Sequence, residues 1–144
     1  MSKIELPENY IFSNKLDVRI DDINYGNHLD FSRLVSMLSN TRALFFKENN
    51  YPELSEDNIG IITKDVRVSF LDQAFFGNNL RFLMGVTCLK RASFVLGFLV
   101  QAGDSQPKDI AHGEITLAFI DYSSQRPRAI PKDFISMIDR CKYI

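Results

Sequence analysis

The residues of this chain best suited to chemistry lie in the polar segment 22–30, whose sequence is DINYGNHLD. It offers a carboxylate at Asp22, a carboxamide at Asn24 and, at His28, an imidazole that can exchange a proton near neutral pH. A strand-like segment precedes it and an apolar helix is predicted directly after it. We therefore expect the loop to deliver Asn24, His28 and unpaired backbone N–H groups to the positive end of a helix. Such a setting suits an oxyanion, a thioester carbonyl or a phosphate.

The helix that must hold this loop is predicted over residues 31 to about 48. Asp30 is expected to be its N-cap, because a carboxylate there accepts from the free N–H groups of the first turn. Pro52 ends the helical segment, since it excludes helical geometry at Tyr51 and lacks an amide donor. The predicted buried face follows three- and four-residue steps and consists of Phe31, Leu34, Val35, Leu38, Thr41 and Phe45.

Strands are predicted on both sides of this helix, where apolar residues recur with a period of two. From Gly60 to Phe70 the alternation gives one apolar face, which includes Ile62 and Val66, and one mixed face. A short helix is predicted after Pro131. The predicted strands cover residues 16–20, 60–70, 80–89, 93–102 and 110–122.

This order of elements favours an α+β fold in which the long helix packs on one face of an antiparallel sheet. The four strands after the helix have short connections and are expected to form a meander. Segment 93–102 is apolar on both faces, as in a strand that is buried on both sides. Since a single chain has nothing left to cover the second face, we predict a homodimer with the sheet in its interface.

Composition excludes several classes of protein. The 144 residues, 45% of them hydrophobic, are expected to form one domain, and a net charge of -1 gives no reason to expect nucleic acid or an anionic membrane as partner. Cys88 and Cys141 lack CxxC spacing and are expected to be reduced thiols. The first residues, with Glu5, Pro7 and Glu8, lack the apolar core of a signal peptide, and no run reaches the roughly 18 apolar residues of a membrane span. We expect a cytoplasmic protein.

The loop and the order of the elements resemble the hotdog-fold thioesterases, in the branch of the 4-hydroxybenzoyl-CoA thioesterase-like and short-chain acyl-CoA enzymes. Residues 18–28, VRIDDINYGNH, are similar to the family pattern V-R-x-x-D-x-D-x-x-G-H and its G-N-H variants. The resemblance covers roughly residues 12 to 135. Further matches are Arg42 in the helix, VRVSF at 66–70 with FGN at 76–78, RASF at 91–94 and RPRAIP at 126–131.

The resemblance implies a single hotdog domain over residues 1–144, in which a curved antiparallel sheet of about five strands wraps a long central helix. Residues 1–11 would be an irregular lead-in and residues 132–144 a short C-terminal helix. It also implies hydrolysis of acyl-CoA thioesters at a subunit interface of a homodimer or homotetramer. No metal would be needed, and no cofactor beyond the coenzyme A of the substrate.

The candidate catalytic residues are Asn24, His28 and Asp22, and at Asn24 the chain departs from the family. The family's usual carboxylate stands four residues before the position of His28, where this chain has Asn24. An amide can orient water but cannot be a general base, and loss of such a base typically costs about 10²–10⁴ in rate. The base could then be Asp22, which shares a face with Asn24 in an extended segment, or His28, or another carboxylate such as Asp30 or Asp72.

Substrate binding is predicted in two places. Backbone N–H groups of residues 26–29 would stabilise charge on the thioester carbonyl, and one such donor contributes about 2.7–4 kcal/mol in other enzymes. The phosphates of coenzyme A would meet arginines, which pair bidentately with phosphate. The predicted oxyanion and acyl contacts are Tyr25, Gly26, Asn27, Leu29 and Asp30, and the predicted coenzyme A contacts are Arg67, Arg91, Ser93 and Arg126.

The same sequence fits two other functions. Because the carboxylate position holds Asn24, the chain could bind an acyl thioester without cleaving it. It could also be a structural dimer with an empty pocket, since Asn24-Tyr25-Gly26-Asn27 is in its own right a good turn sequence. Hydrolysis is our leading interpretation.

Overall fold

Helix α1 runs over Phe31–Glu48 in the computed structural model, which describes residues 3–144. This is the helix predicted from the sequence, and Asp30 caps it: the Asp30 carboxylate accepts from the Ser32 backbone N–H at 3.0 Å. Leu34, Leu38 and Phe45 are buried as predicted, whereas Phe31 at the start of the stripe is 68% exposed. The Phe31 side chain therefore projects beyond the core.

The sheet contains six strands and is antiparallel throughout. A short C-terminal helix, α2, follows it, and a single 3₁₀ turn at Ile20–Asp22 precedes α1. Strand β1 begins earlier than predicted and ends at Asp17, because the chain turns into the 3₁₀ segment where the prediction continued the strand. The elements are β1 (Phe12–Asp17), β2 (Ile59–Phe70), β3 (Asn79–Leu89), β4 (Ser93–Ala102), β5 (Lys108–Asp121), β6 (Arg126–Pro127) and α2 (Lys132–Arg140).

The strand order β1-β3-β4-β5-β2 corrects the predicted four-strand meander. Only β3, β4 and β5 are neighbours in chain order; β2 pairs with β5, and β1 fills the place beside β3. Apolar alternation predicts which face a residue occupies but not which strand lies next to it. The sequence therefore gave no indication that the chain crosses from β2 at one edge of the sheet to β3. The consequence of this crossover is that residues 71–78, which link β2 to β3, cross one end of the sheet and pass the loop before α1.

A β-bulge changes the faces of β2. Its pairing with β5 shifts between Thr63 and Asp65, and the extra residue reverses the alternation on one side of that point. Ile61 thus shares the α1-facing side with Val66, and the predicted grouping of Ile62 with Val66 is wrong. The bulge had no sequence signal beyond the polar run around it.

The core lies between the sheet and the two helices. From α2, Phe134 packs its ring 4.6 Å from that of Phe94 and 5.1 Å from that of Phe119, measured between centroids. Arg42, which the resemblance singled out, pairs with Glu53 and ties the segment after α1 back to the helix. The largest fully buried side chains include Phe45, Phe46, Phe82, Phe94, Phe98, Phe134, Leu34, Leu38, Leu80 and Leu96.

The face of the sheet opposite α1, here called the outer face, carries the N-terminal segment. Pro7 is buried, and a β-carbon placed on Gly85 would lie 2.3 Å from the Asn9 carbonyl oxygen. A β-carbon on Gly97, the partner of Gly85 in the β3–β4 register, would lie 2.9 Å from Pro7 Cδ. This corrects the expectation that one chain has nothing left to cover the second face of β4, because the lead-in lies across it.

Candidate active site

The loop before α1 is a tight hairpin. The Asn24 N–H donates to the His28 carbonyl at 2.9 Å and the Asn27 N–H to the Asn24 carbonyl at 3.0 Å, which leaves three residues at the tip. Asn27 has φ 65°, the left-handed conformation that closes such a hairpin and that Asn tolerates. Tyr25 lies at the tip and is fully exposed. The turn chemistry read from the sequence is confirmed.

The side chain of Asn24 is held in one orientation by the loop. Its Oδ1 accepts from the backbone N–H of Gly26 at 2.9 Å and of His28 at 3.4 Å. The amide NH₂ is therefore on the other side, 3.4 Å from Nδ1 of His28. Because an NH₂ group can only donate, Nδ1 must accept and the proton of the neutral imidazole must be on Nε2. His28 is thereby set as an N–H donor at Nε2.

Gly26 makes room for that imidazole. A β-carbon on Gly26 would lie 2.8 Å from His28 Nε2 and 3.3 Å from Asn24 Oδ1. Gly77 and Gly103 are the glycines with positive φ in the described part of the chain, so Gly26 serves this position through its missing side chain. The sequence alone indicated a flexible turn residue at position 26, whereas the structure indicates that a side chain there would collide with the His28 imidazole.

A cavity of about 410 Å³ lies beside the hairpin. One wall comes from the loop and the first turn of α1, and the other from the end of β2 and the residues after it. The two walls are joined by a hydrogen bond from the Leu29 N–H to the Ala74 carbonyl, 2.7 Å long, and by a bridge between His28 and Phe75. The lining residues are Asn24, His28, Leu29, Phe31, Phe70, Leu71, Asp72 and Gln73.

Asp72 is the carboxylate on the β2 side of this cavity. Its Oδ1 accepts from the Gln73 backbone N–H at 2.8 Å, and its Oδ2 lies 3.4 Å from Nζ of Lys108. The backbone hydrogen bond from Gln73 and the contact with Lys108 lower the pKa of the Asp72 carboxyl below its usual value. Asp72 is thus an ionised carboxylate in the lining of the same cavity as the Asn24–His28 pair.

The loop amides predicted as oxyanion donors already have acceptors within the chain. The N–H groups of Gly26 and His28 donate to the Asn24 side chain, that of Asn27 to the Asn24 carbonyl and that of Leu29 to Ala74. At the helix terminus, Ser32 is taken by the Asp30 cap. The Phe31 N–H donates to no other described residue. The free backbone donor at this cavity is therefore that of the first residue of α1, and not one of the predicted loop amides. The cue in the sequence was its position directly after a capping Asp.

Two of the carboxylates predicted as site residues, Asp22 and Asp30, accept hydrogen bonds from backbone N–H groups outside the cavity. Asp22 is only 8% exposed, and its Oδ2 accepts from the Arg19 backbone N–H at 2.8 Å across the 3₁₀ turn. Asp30 accepts from both the hydroxyl and the backbone N–H of Ser32, which lower the pKa of its carboxyl. Neither is among the residues that line the cavity. Their roles in the structure are those of turn and helix caps.

The predicted coenzyme A contacts do not surround this cavity within one chain. Arg67 pairs with Glu114, Nε to Oε1 at 3.1 Å, on the outer face of the sheet, since the neighbouring Gly113 faces Leu38 of α1. Arg91, Ser93 and Arg126 lie at the end of the sheet where β2 begins. The cavity lies at the end where β2 finishes.

We also searched the described residues for a second cavity, a metal site and a membrane-spanning helix. A larger cavity of about 840 Å³ lies between the N-terminal segment and the end of α2, and it contains none of the predicted site residues. Within residues 3–144, no group of three or more His, Cys, Asp or Glu side chains is placed to hold a metal ion. No helix in that same range is long and apolar enough to cross a membrane.

Comparison with solved structures places the fold. A 1,4-dihydroxy-2-naphthoyl-CoA thioesterase from Synechocystis superposes with a TM-score of 0.82 at 13% identity, covering 90% of this chain and 96% of the other. An Asp-to-Asn mutant of 4-hydroxybenzoyl-CoA thioesterase, in complex with 4-hydroxybenzoyl-CoA, gives 0.78 at 18% identity, covering 88% and 97%. A Staphylococcus aureus protein in complex with CoA gives 0.78 at 15% identity, covering 96% and 86%. The predicted hotdog fold is confirmed.

Sequence comparison gives the family. No curated protein matches the chain. The model of the thioesterase-like superfamily matches residues 18–138, which include the hairpin, all of α1, strands β2 to β6 and α2 as far as Ile138. The chain therefore belongs to the thioesterase-like superfamily.

Proposed function

We propose that this protein hydrolyses acyl-CoA thioesters in the cavity beside α1. The observation that carries the proposal is the convergence there of a helix N-terminus, the His28–Asn24 pair and an ionised carboxylate on apolar walls. Membership of the thioesterase-like superfamily supports it. The choice of CoA as the thiol is supported by the fold neighbours, which include a 1,4-dihydroxy-2-naphthoyl-CoA thioesterase, a complex with 4-hydroxybenzoyl-CoA and a complex with CoA.

The reaction needs charge stabilised on the thioester carbonyl oxygen. The Phe31 N–H stands at the positive end of α1, where the helix dipole favours a developing negative charge. Removal of one such donor in other enzymes costs about 2.7–4 kcal/mol, so this contribution can be large. His28 adds a second donor at Nε2, because Asn24 fixes the neutral imidazole in that tautomer.

The acyl group would lie against the apolar walls. Leu29, Phe31, Phe70 and Leu71 line the cavity, and its volume of about 410 Å³ falls in the range of roughly 300–1,000 Å³ that small-molecule sites occupy. Phe31, Phe70 and Leu71 are also among the exposed large apolar side chains. An acyl chain or a partner subunit would cover them.

The proposal includes a homodimer in which the sheet continues through two β2 strands. Among the described residues, 53–55 pair with the outer edge of β2 at its start, and Val66 in the middle of β2 is 38% exposed. A long open edge with apolar side chains is a template for strand pairing. Antiparallel pairing of β2 with its copy would bring the partner's opposite sheet end, with its copies of Arg91 and Arg126, towards the cavity. The phosphates of coenzyme A would then bind across the subunit boundary.

The second candidate function is binding of an acyl thioester without hydrolysis. It is favoured by Asn24, an amide at the position where the family resemblance places a carboxylate. Both functions require no cofactor beyond the coenzyme A of the ligand, and we place both in the cytoplasm.

The test is a panel of acyl-CoA substrates with short, medium and aromatic acyl groups. Release of free CoA thiol is followed with a thiol reagent, and binding is measured in parallel by calorimetry. We expect saturable thiol release for at least one acyl class, and a strong decrease for His28→Ala. Tight binding of several acyl-CoA compounds with no thiol release would instead establish the binding function. Neither binding nor release would contradict both.

A further inference from the structure

Asp72 is the one carboxylate among the described residues that line the Asn24–His28 cavity. It enters the site from the segment after β2, whereas Asn24 enters from the hairpin before α1. Three other acidic residues near the hairpin, Asp21, Asp22 and Asp30, do not line the cavity. Asp22 and Asp30 cap the 3₁₀ turn and α1, and Asp21 pairs with Arg19. If the general base is one of the residues that line this cavity, it is therefore Asp72 or His28.

His28 is poorly placed to be that base. In the neutral imidazole Nδ1 accepts from the Asn24 NH₂ group, and Nε2 carries the proton. Proton abstraction by Nδ1 would require breaking this contact and turning the Asn24 amide, whose Oδ1 is held by the N–H groups of Gly26 and His28. His28 is thus a hydrogen-bond donor, and the base must come from the other wall.

The Asp72 carboxylate has room for a water molecule. An ionised carboxylate offers about four acceptor positions. One on Oδ1 is used by the Gln73 N–H, and one on Oδ2 faces Nζ of Lys108. The remaining positions can accept from a water in the cavity. Lys108 is the first residue of β5, and it pairs with the carboxylate without being among the residues that line the cavity.

We propose that Asp72 is the general base of the hydrolysis, in place of the carboxylate that Asn24 lacks, and that Lys108 is its positioning residue. The inference rests on the proposed function. Asp72 takes a proton from water as the water oxygen forms a bond to the thioester carbon, and the carbonyl becomes an oxyanion facing the Phe31 N–H. The tetrahedral intermediate then expels the CoA thiolate by breaking the C–S bond. Asp72 returns its proton to the thiolate, so that water and thioester yield carboxylic acid and thiol.

The first test is Asp72→Asn, which keeps the shape of the side chain and removes the base. We expect kcat to fall by about 10²–10⁴, the usual contribution of a general base, with acyl-CoA affinity and thermal stability close to wild type. The matched control is Asp104→Asn, since Asp104 is also an exposed carboxylate paired with a lysine, Lys15, at 3.3 Å. It should leave kcat unchanged.

Two further variants separate a base from a merely structural carboxylate. In Asn24→Asp/Asp72→Asn, the carboxylate moves to the opposite wall and should restore at least a tenth of the wild-type kcat. In Lys108→Met, the pKa of Asp72 should rise, since Lys108 helps to lower it, and the acid limb of the kcat profile should move to higher pH. Full turnover by Asp72→Asn, or an unmoved acid limb in Lys108→Met, would overturn this inference alone. Absence of thiol release from the wild type would overturn the proposed function and this inference with it.

Discussion

The NH₂ group of Asn24 lies 3.4 Å from Nδ1 of His28, and both residues line the same cavity. An amide nitrogen can only donate at this contact, whereas a carboxylate could only accept. The residue at position 24 therefore decides which imidazole nitrogen carries the proton. The Oδ1 end of the same amide keeps the hairpin intact, because it accepts from the Gly26 and His28 N–H groups as a carboxylate oxygen would.

Asn24→Asp is expected to raise turnover. The new carboxylate would keep the Gly26 and His28 N–H contacts through one oxygen. Its other oxygen would accept from His28 Nδ1 and still have a lone pair for water. We expect kcat to rise by less than the ~10² that a first general base contributes, because Asp72 already supplies one. Rates are measured on the best substrate of the panel, with Asn27→Asp, an exposed position of the same hairpin, as the control. No change or a fall would contradict the placement of Asn24 in the catalytic position.

Gly26→Ala is expected to reduce activity with little effect on stability. The added methyl group would lie 2.8 Å from His28 Nε2, so the imidazole must shift, and a displacement of about 1 Å in an active site can cost about 10²-fold. The measurements are kcat and the thermal unfolding midpoint. Asn27→Gly is the control, because glycine readily adopts its φ of 65°, and its kcat should match wild type. Equal kcat in Gly26→Ala and wild type would show that the imidazole position is not critical.

The fold was predictable to the extent that local patterns determine it. The capped helix Phe31–Glu48 and the strand Ser93–Ala102 follow from periodicity and turn chemistry, and their bounds agree with the sequence interpretation. The pairing of β2 with β5 was not predictable, because a strand's alternation carries no information about its neighbour. Two further features depend on residues far apart in the chain and were equally unpredictable. They are the bulge between Thr63 and Asp65 and the packing of Pro7 on Gly85 and Gly97.

The site was predictable mainly on one side. The hairpin wall, with Asn24 and His28, is contiguous in sequence and carries recognisable turn residues. The opposite wall, Phe70 to Gln73, comes from the crossover between β2 and β3; the sequence offered Asp72 as one alternative carboxylate but gave no signal that it lies beside the hairpin. The loop amides were misjudged for a physical reason: a tight hairpin uses its N–H groups to close itself, which leaves the Phe31 N–H as the donor at the cavity.

Val66→Glu is expected to disrupt the proposed dimer. Val66 lies in the exposed middle of the open β2 edge and is 38% exposed, so a pair of carboxylates would meet there in a dimer that continues the sheet. Mass measured by light scattering should shift towards monomer, with a parallel loss of thioesterase activity. Lys15→Glu, on the opposite edge strand β1, should keep the wild-type mass. A dimer that survives Val66→Glu would place the interface elsewhere.

Gly85→Ala is expected to loosen the N-terminal segment. The methyl group would lie 2.3 Å from the Asn9 carbonyl oxygen, so the segment must lift from the outer face, at a cost of about 1–3 kcal/mol in the free energy of unfolding. Urea unfolding measures this loss, and faster proteolysis near residues 5–10 would locate it. Glu8→Ala, at an exposed position of the segment, should stay within about 0.5 kcal/mol of wild type. Unchanged stability in Gly85→Ala would mean that the segment does not hold this position.

Phe134→Ala tests whether α2 is part of the core. Phe134 is fully buried, and its ring packs against Phe94 and Phe119 at centroid distances of 4.6 and 5.1 Å. We expect a loss of about 3–5 kcal/mol, the usual effect of removing a buried phenylalanine side chain, as measured by urea unfolding at pH 7. Ile135→Ala on the exposed face of α2, where the side chain is 38% exposed, should change stability by no more than about 0.5 kcal/mol. Equal effects of the two substitutions would show that α2 does not pack on the sheet through Phe134.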